Sequence, residues 1–226
     1  PLCLNRRELE VLVESYNNNF NKTLSVGFNR SFSPYFNEAK KSIGPGKKSI
    51  LYRISAGKLD GEAWQNDLSI GGGRVIGELC HFVEFITTLV ESSVVEVSAK
   101  VFNLGDGNQD FHISLLYEDD SVGTILYLAS GAAGIEKEYI EIHQADTSLK
   151  IYDYSRMEIF REQKRTKFKT SQKDKGQKAF FTQMVAGMKS GVPIQSPSRL
   201  FHVTDVTFAI VQSVNTNLPV FVVPYE

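Results

Sequence analysis

The chain has 226 residues, the length of one domain or of one large domain with a fragment of another. Hydrophobic residues make up 42% of it and charged residues 23%, which is typical of a globular protein and not of a disordered one. Lys and Arg number 25 against 26 Asp and Glu, and this net charge of -1 argues against a dedicated nucleic-acid-binding protein.

The N-terminal segment predicts a helix, a strand and a second helix. Asn5, with Glu8 three residues later, is typical of a helix N-terminus. Residues 23–28 predict a short strand, and Ser33-Pro34 predicts the start of a helix around residues 36–41. The elements predicted after these are a strand at 49–55, a loop with Trp64, Asn66 and Asp67, a helix at 74–90, strands at 94–103, 111–118, 122–130, 138–144 and 149–161, a helix at 177–190, and a last helix capped by Ser198.

The residue pattern within these elements predicts which faces are buried. Four residues of the strand at 94–103 alternate and share one face: Val95, Val97, Ala99 and Val101. Five apolar residues form one stripe of the helix at 177–190: Phe180, Phe181, Met184, Val185 and Met188. The last helix is expected to bury Val203, Val206, Ile210 and Val214.

This order of elements predicts an α+β fold with a mostly antiparallel open sheet and helices packed on one face. Consecutive strands joined by short turns favour antiparallel pairing, as at Asp119-Asp120-Ser121, because parallel pairs need long crossovers. Polar and aromatic residues such as Tyr127, Tyr139 and His143 are expected on the second face. That face is then either exposed or in contact with a second copy of the chain.

Cysteine and histidine usage limits the chemistry. Cys3 and Cys80 are the two cysteines, and no CxxC pair occurs, which excludes a disulfide scaffold and a thiolate zinc site and favours a reducing cytoplasm. The histidines lack the spacing of metal ligands, so no metal site is predicted; His112, His143 and His202 are expected to be structural. We expect no signal peptide, and no apolar run approaches the roughly 20 residues that span a bilayer.

The glycine cluster before the helix at 74–90 is loosely similar to a dinucleotide-binding loop. Gly71, Gly73 and Gly77 match the spacing, but no buried strand precedes them and no βαβ unit follows. We therefore predict a tight turn that presents the positive end of the next helix to a ligand oxygen.

That helix carries the main candidate site. An α-helical period places Val75, Leu79, Val83, Ile86 and Val90 on the core side. On the opposite side it places Arg74, Glu78, His81 and Phe85, with Gly77 and Glu84 at the edge. Two interpretations stay open: a solvent-exposed histidine beside an ion pair, or an imidazole that exchanges a proton and is oriented by a carboxylate.

The stretch 161–178 is rich in Lys and Arg but has few aromatic residues, so it lacks the stacking platforms of a nucleic-acid site. We predict a solvated sheet edge protected by lysines.

Three blocks together resemble a family of oxidoreductases named for glucose–fructose oxidoreductase, inositol dehydrogenase and a rhizopine catabolism protein (Gfo/Idh/MocA). The blocks are PLCLNRRELE at 1–10, VGFNRSFSP at 26–34 and GGGRVIGELCHFVEF at 71–85. The residues around Tyr52-Arg53, Trp64 and the third block resemble a subgroup fused to a zinc-type alcohol dehydrogenase unit.

The resemblance implies a division into residues 1–30, the end of a dinucleotide-binding Rossmann domain, and residues 31–226, the C-terminal α/β substrate domain. In the family a catalytic lysine precedes a proline that matches Pro1, so the resemblance implies that the lysine and most of the NAD- or NADP-binding domain lie upstream. The isolated chain is then expected to be inactive, and the whole enzyme to act on a sugar or polyol as a homo-oligomer joined through the sheet face.

The resemblance also implies roles for individual residues. His81 matches the family's acid/base residue, which Glu78 would assist, and Arg30 matches a residue at the junction of cofactor and substrate. Arg53, Trp64 and Asp67 are implied to bind substrate. One departure favours the alternative of a non-catalytic dimerisation or sugar-sensing module: Gly77 occupies the position where the family often has an aspartate.

Overall fold

The computed structural model describes residues 2–19, 23–59, 69–105 and 108–225. These residues form nine strands in one sheet and five α-helices, so the predicted α+β class is confirmed. The helices are α1 (Arg6–Asn17), α2 (Pro34–Ser42), α3 (Cys80–Val90), α4 (Gln177–Ser190) and α5 (Pro197–Thr216). The strands are β1 (Ser49–Ser55), β2 (Val94–Asn103), β3 (Gln109–Tyr117), β4 (Val122–Leu128), β5 (Glu138–Gln144), β6 (Thr147–Tyr152), β7 (Arg156–Arg161), β8 (Lys164–Phe168) and β9 (Val220–Phe221).

Side-chain caps fix the starts of three helices. The Asn5 carboxamide oxygen accepts from the Glu8 backbone N–H at 3.0 Å, and the Glu8 carboxylate accepts in return from the N–H of Leu4. Ser33 caps α2 in the same way, as predicted. The predicted cap of α5 is wrong by two residues: Ser196 is the cap, because Pro197 already takes the first helical position, which suits a residue without an N–H.

The strand order is β8-β7-β6-β5-β1-β4-β3-β2-β9. All neighbouring pairs are antiparallel except β1 with β4, which is parallel. The chain can make this parallel pair because α3, β2 and β3 provide the long crossover. Helix α3 connects β1 to β2, which run in the same direction but are separated by β4 and β3, so the glycine cluster does not join two neighbouring parallel strands.

Helix α3 is buried on nearly every side, which corrects the prediction of an exposed face. One side packs on the sheet and another on α5. Phe85, predicted to face away from the core, is fully buried, and Arg74, before the helix, is 8% exposed. An amphipathic pattern identifies one apolar stripe, but a helix held between two layers also buries the opposite side.

The helix does not keep one period along its length. Val75–Leu79 forms a turn of π-helix before the α-helix begins at Cys80. A π-turn closes i→i+5 hydrogen bonds, so its side chains are rotated relative to an α-helical projection. The predicted grouping of Glu78 with His81 on one face assumed an unbroken α-helical period.

Three strand predictions are wrong in part. Residues 23–28 form no strand, because their backbone groups have other hydrogen-bond partners. The N–H of Phe28 donates to the carbonyl oxygen of Val26, and the N–H of Val26 donates to the side-chain oxygen of Gln195. The predicted strand at 149–161 is two strands, separated by a turn in which Asp153 and Tyr154 have positive φ. A bulge after Val94 places that residue in the core instead of Val95.

Two predictions of buried faces also need correction. Helix α4 buries Phe180, but Phe181 is 57% exposed and Met188 65% exposed, so its apolar stripe does not face the core. Tyr127, predicted on the open side of the sheet, is fully buried on the helix side. Tyr139 is partly exposed and His143 exposed.

The basic stretch forms an edge of the sheet, because β8 is the terminal strand and its Lys and Arg residues are exposed, as predicted. Within the described ranges, no helix is long and apolar enough to cross a membrane.

Candidate functional site

A buried carboxylate, Glu138, lies at the first position of β5 and is fully inaccessible to solvent. The guanidinium of Arg30, from a 3₁₀ turn at Arg30–Phe32, donates to both of its oxygens, from Nε at 2.8 Å and from Nη2 at 2.9 Å. Such a bidentate pair fixes the orientation of the guanidinium relative to the carboxylate as well as the distance between them. It therefore ties the turn at residues 30–32 to the middle of the sheet.

Two more donors bond to the same carboxylate. The Tyr52 hydroxyl donates to Glu138 at 2.5 Å and lies 2.8 Å from the Tyr154 hydroxyl, and the Lys175 ammonium also bonds to Glu138. Burial alone would raise the pKa of Glu138, but the bonds and charges of Arg30 and Lys175 outweigh burial and lower it to about 2. Burial also raises the pKa values of Tyr52 and Tyr154, so both keep their protons.

The histidine predicted as the acid/base residue lies at the start of α3, beyond the π-turn. The ring of His81 packs edge-on against Phe28, with 5.3 Å between centroids. Its Nδ1 atom is buried and has no hydrogen-bond partner in the described part of the chain. Burial, with the positive charge of Arg30, lowers the pKa of His81 to about 3, so the imidazole is neutral at physiological pH.

Glu78 points to a different group. Its carboxylate accepts a hydrogen bond of 2.5 Å from the Tyr127 hydroxyl on β4. Arg74 packs over the same tyrosine ring and donates to the carbonyl oxygen of Gly57 at 2.8 Å. Among the described residues no hydrogen bond joins Glu78 to His81, so the structure does not bring these two together as the sequence predicted.

The other predicted site residues are dispersed. Arg53 alternates with the buried Tyr52 along β1 and so lies on the open side of the sheet, where it packs over Tyr139 and donates to Ser55 at 2.6 Å. Trp64 and Asp67 lie outside the described residues. Arg30 lies near His81, with its guanidinium engaged by Glu138 and stacked 4.6 Å from the Phe82 ring.

The sequence analysis missed Glu138, Tyr52, Tyr154 and Lys175. A signal for Glu138 was present: it shares the inward register of β5 with Ile140 and Ile142, and a charge in a buried register requires a partner. Lys175 could not be recognised in the same way, since it lies in a stretch where most Lys and Arg residues are exposed.

Solved structures show the same fold. The chain superposes on an oxidoreductase domain protein from Kribbella flavida with a TM-score of 0.84 at 15% identity, covering 99% of this chain and 72% of that one. For a levoglucosan dehydrogenase in complex with NADH and levoglucosan the TM-score is 0.81 at 16% identity, covering 96% and 70%. For aldose-aldose oxidoreductase from Caulobacter crescentus with glycerol it is 0.79 at 14% identity, covering 96% and 68%.

These likenesses confirm the predicted fold: the chain has the α+β fold that these oxidoreductases have over about 70% of their length. The sequence matches no protein-family model, and a search of curated proteins returns no relative. The predicted fusion to a zinc-type alcohol dehydrogenase unit and the domain boundary at residue 30 stay predictions.

Proposed function

We propose that this chain is the substrate-binding and dimerisation part of an NAD(P)-dependent oxidoreductase of the Gfo/Idh/MocA family that acts on a sugar or polyol. The observation that carries the proposal is the orphaned Nδ1 of His81, a buried imidazole nitrogen in need of a partner. The names of the structural neighbours support the substrate class: two describe sugar-converting enzymes, and one of these was solved with NADH.

In this proposal His81 takes the proton of the substrate hydroxyl. A neutral imidazole is the form that can accept a proton, and burial keeps His81 in that form, while it also makes the imidazole a weaker base than that of a free histidine. Among the described residues the orphaned nitrogen is an unused hydrogen-bonding position, which a substrate hydroxyl would satisfy. A nicotinamide, held mainly by a dinucleotide-binding domain, would supply the acceptor for the hydride, while the residues of this chain would bind the substrate and take the proton of its hydroxyl.

Arg30 acts in this scheme as a positioning residue. Phe28 packs on the His81 ring, and Arg30, two residues later, anchors this segment to Glu138. The anchor holds the imidazole in one orientation without contacting the substrate. Arg53, Trp64 and Asp67 remain predicted substrate contacts, whereas Glu78 has no assisting role in this scheme because its carboxylate is bonded to Tyr127.

The test is nicotinamide reduction by the protein with its dinucleotide-binding domain in place, across a panel of sugars and polyols. His81→Ala is expected to lower kcat by about 10²–10⁴-fold, the usual contribution of general acid–base catalysis. His143→Ala is the matched control, because this exposed histidine lies on β5 and bonds to Ser148 and Glu141 instead. Unchanged turnover in His81→Ala would contradict the assignment.

The open side of the sheet is proposed as the dimer interface. Leu116 and Val122, both 38% exposed, lie on this side beside the half-buried Leu51, Leu126 and Leu128. Light scattering on a size-exclusion column should give a dimer for the parent and a monomer for a variant with Leu116→Lys and Val122→Lys. A monomeric parent, or a dimeric variant, would contradict this part of the proposal.

A non-catalytic, sugar-sensing module is the second candidate. Gly77 offers no carboxylate at the family's aspartate position, and the neighbouring Glu78 is bonded to Tyr127. This candidate predicts that the protein with both domains binds a sugar in calorimetry yet reduces no nicotinamide with any member of the panel. Turnover that depends on His81 would exclude it.

A further inference from the structure

A polar cleft of about 210 Å³ lies on the side of α3 away from the sheet. It opens between the turn at Arg30–Phe32, the start of α2, the middle of α4 and the start of α5. Its lining includes Ser31, Glu84, Thr88, Gln195, Ser196 and Arg199. His81 is not among the lining residues, so the cleft is separate from the proposed catalytic position.

Two buried polar atoms in the wall of this cleft have no partner in the described chain. Glu84 is 3% exposed; its Oε1 accepts from Ser31 at 2.9 Å and from Thr88 at 3.0 Å, whereas its Oε2 accepts nothing. The Gln195 side chain accepts from the Val26 N–H through Oε1, so its buried Nε2 is left as an unused donor. Each such atom costs about 1–3 kcal/mol unless something binds it, which points to an occupant.

The opposite end of the cleft attracts an anion. The guanidinium of Arg199 makes no hydrogen bond or ion pair with a side chain in the part of the chain that the structure describes, although its charge acts on Glu84. Arg199 and Ser196 belong to the first turn of α5, a helix of 20 residues whose N-terminus carries partial positive charge. An unpaired guanidinium beside a long helix's N-terminus suits a carboxylate.

We propose that this cleft binds a small hydroxycarboxylate, with its carboxylate at Arg199 and Gln195 Nε2 and a hydroxyl donating to Glu84 Oε2. One ligand of this class satisfies both orphaned atoms and the free guanidinium. A neutral polyol leaves the guanidinium unmatched, and a simple carboxylate leaves Glu84 Oε2 without a donor. Only the combination of both groups matches both ends of the cleft.

Calorimetry on this chain with three matched probes tests the proposal. Glycerate carries a carboxylate and hydroxyls, glycerol lacks the carboxylate, and propionate lacks the hydroxyls. Glycerate is expected to bind at least tenfold more tightly than either of the others. Arg199→Gln should weaken glycerate at least tenfold, as for loss of a charged hydrogen bond, and Glu84→Gln should weaken glycerate while leaving propionate unchanged.

Arg7→Gln, at an exposed position of α1, is the control and should leave glycerate binding intact. Urea unfolding midpoints check that each variant is folded. Arg199→Lys keeps the charge but loses the paired N–H donors of the guanidinium, so its affinity for glycerate should lie between those of the parent and of Arg199→Gln. Absence of glycerate binding, equal affinity for the three probes, or binding insensitive to Arg199 would overturn the proposal. The first of these results would mean that ordered water alone occupies the cleft.

Discussion

Replacing Glu138 by Gln should destabilise the chain more than any surface substitution. The change keeps the size of the side chain but removes the charge that compensates Arg30 and Lys175, both largely buried. The pKa of Glu138 falls from 4.5 to about 2, and this difference corresponds to about 3 kcal/mol of stability at neutral pH. Loss of one partner of a buried ion pair costs a similar amount, about 3–5 kcal/mol.

Urea and thermal unfolding measure this loss directly. For a chain of this size about 3 kcal/mol lowers Tm by roughly 6–12 °C. Glu118→Gln, at an exposed position that follows β3, is the matched control and should stay within about 0.5 kcal/mol of the parent. A loss below about 1 kcal/mol for Glu138→Gln would refute the reasoning, because the two cations would then not depend on this carboxylate.

The sign of the pH effect provides a second check. Because the folded pKa of Glu138 is depressed, its contribution is present above the unfolded value of 4.5 and is lost as the pH falls towards 2. Stability of the parent should therefore decline over this window more steeply than that of Glu138→Gln. The double variant Arg30→Met with Glu138→Gln should lose less stability than Glu138→Gln alone, because it leaves one unpaired buried cation, Lys175, where the single variant leaves two.

Three further predictions concern separate positions. Gly176→Ala should cost more than 3 kcal/mol in urea unfolding, because φ is +85° and the added Cβ would lie 2.3 Å from the Asn29 carbonyl oxygen; Gly191→Ala, with φ +72° and open space, should cost about 1–2 kcal/mol. Burial raises the pKa of Glu84 to about 7, so the parent should lose about 2–3 kcal/mol relative to Glu84→Gln between pH 5 and 8, and parallel curves would contradict this. The imidazole NMR resonances of His81, assigned with His81→Asn, should not titrate between pH 5 and 8, and a midpoint within that range would disprove its burial.

Local patterns were sufficient to predict most of the secondary structure. The bounds of β1, β2 and β5 agree with the prediction, because the alternation of buried and exposed side chains can be recognised from the sequence of each strand alone. The Asn5 and Ser33 caps also use residues three positions apart in sequence. Residues 23–28 show the limit of this logic: a β-favouring segment forms no strand when the fold supplies no neighbour to pair with it.

The candidate site could be predicted only in part, since its geometry depends on distant residues. The resemblance of the glycine–histidine block indicated His81, but the environment of Arg30 depends on Glu138, which is 108 residues away. The π-turn before α3 was also invisible to an α-helical projection, and it separates Glu78 from His81. Periodicity identified the helix correctly, whereas tertiary contacts decide which of its polar residues meet.

The turn around Arg30 links the proposed catalytic position to the polar cleft. Phe28 contacts His81, and Ser31 donates a hydrogen bond to Glu84. Arg30, which lies between Phe28 and Ser31 in sequence, is anchored to the buried carboxylate of Glu138 on β5. One short segment thus contacts both sites, at positions about one turn apart on α3. If that anchor holds the segment in place, removing it with Arg30→Met should weaken glycerate binding and lower turnover together, although the Arg30 guanidinium itself is engaged by Glu138. If only one of the two changes, the two sites are positioned independently, and the packing of α3 between the sheet and α5 is sufficient to orient the other.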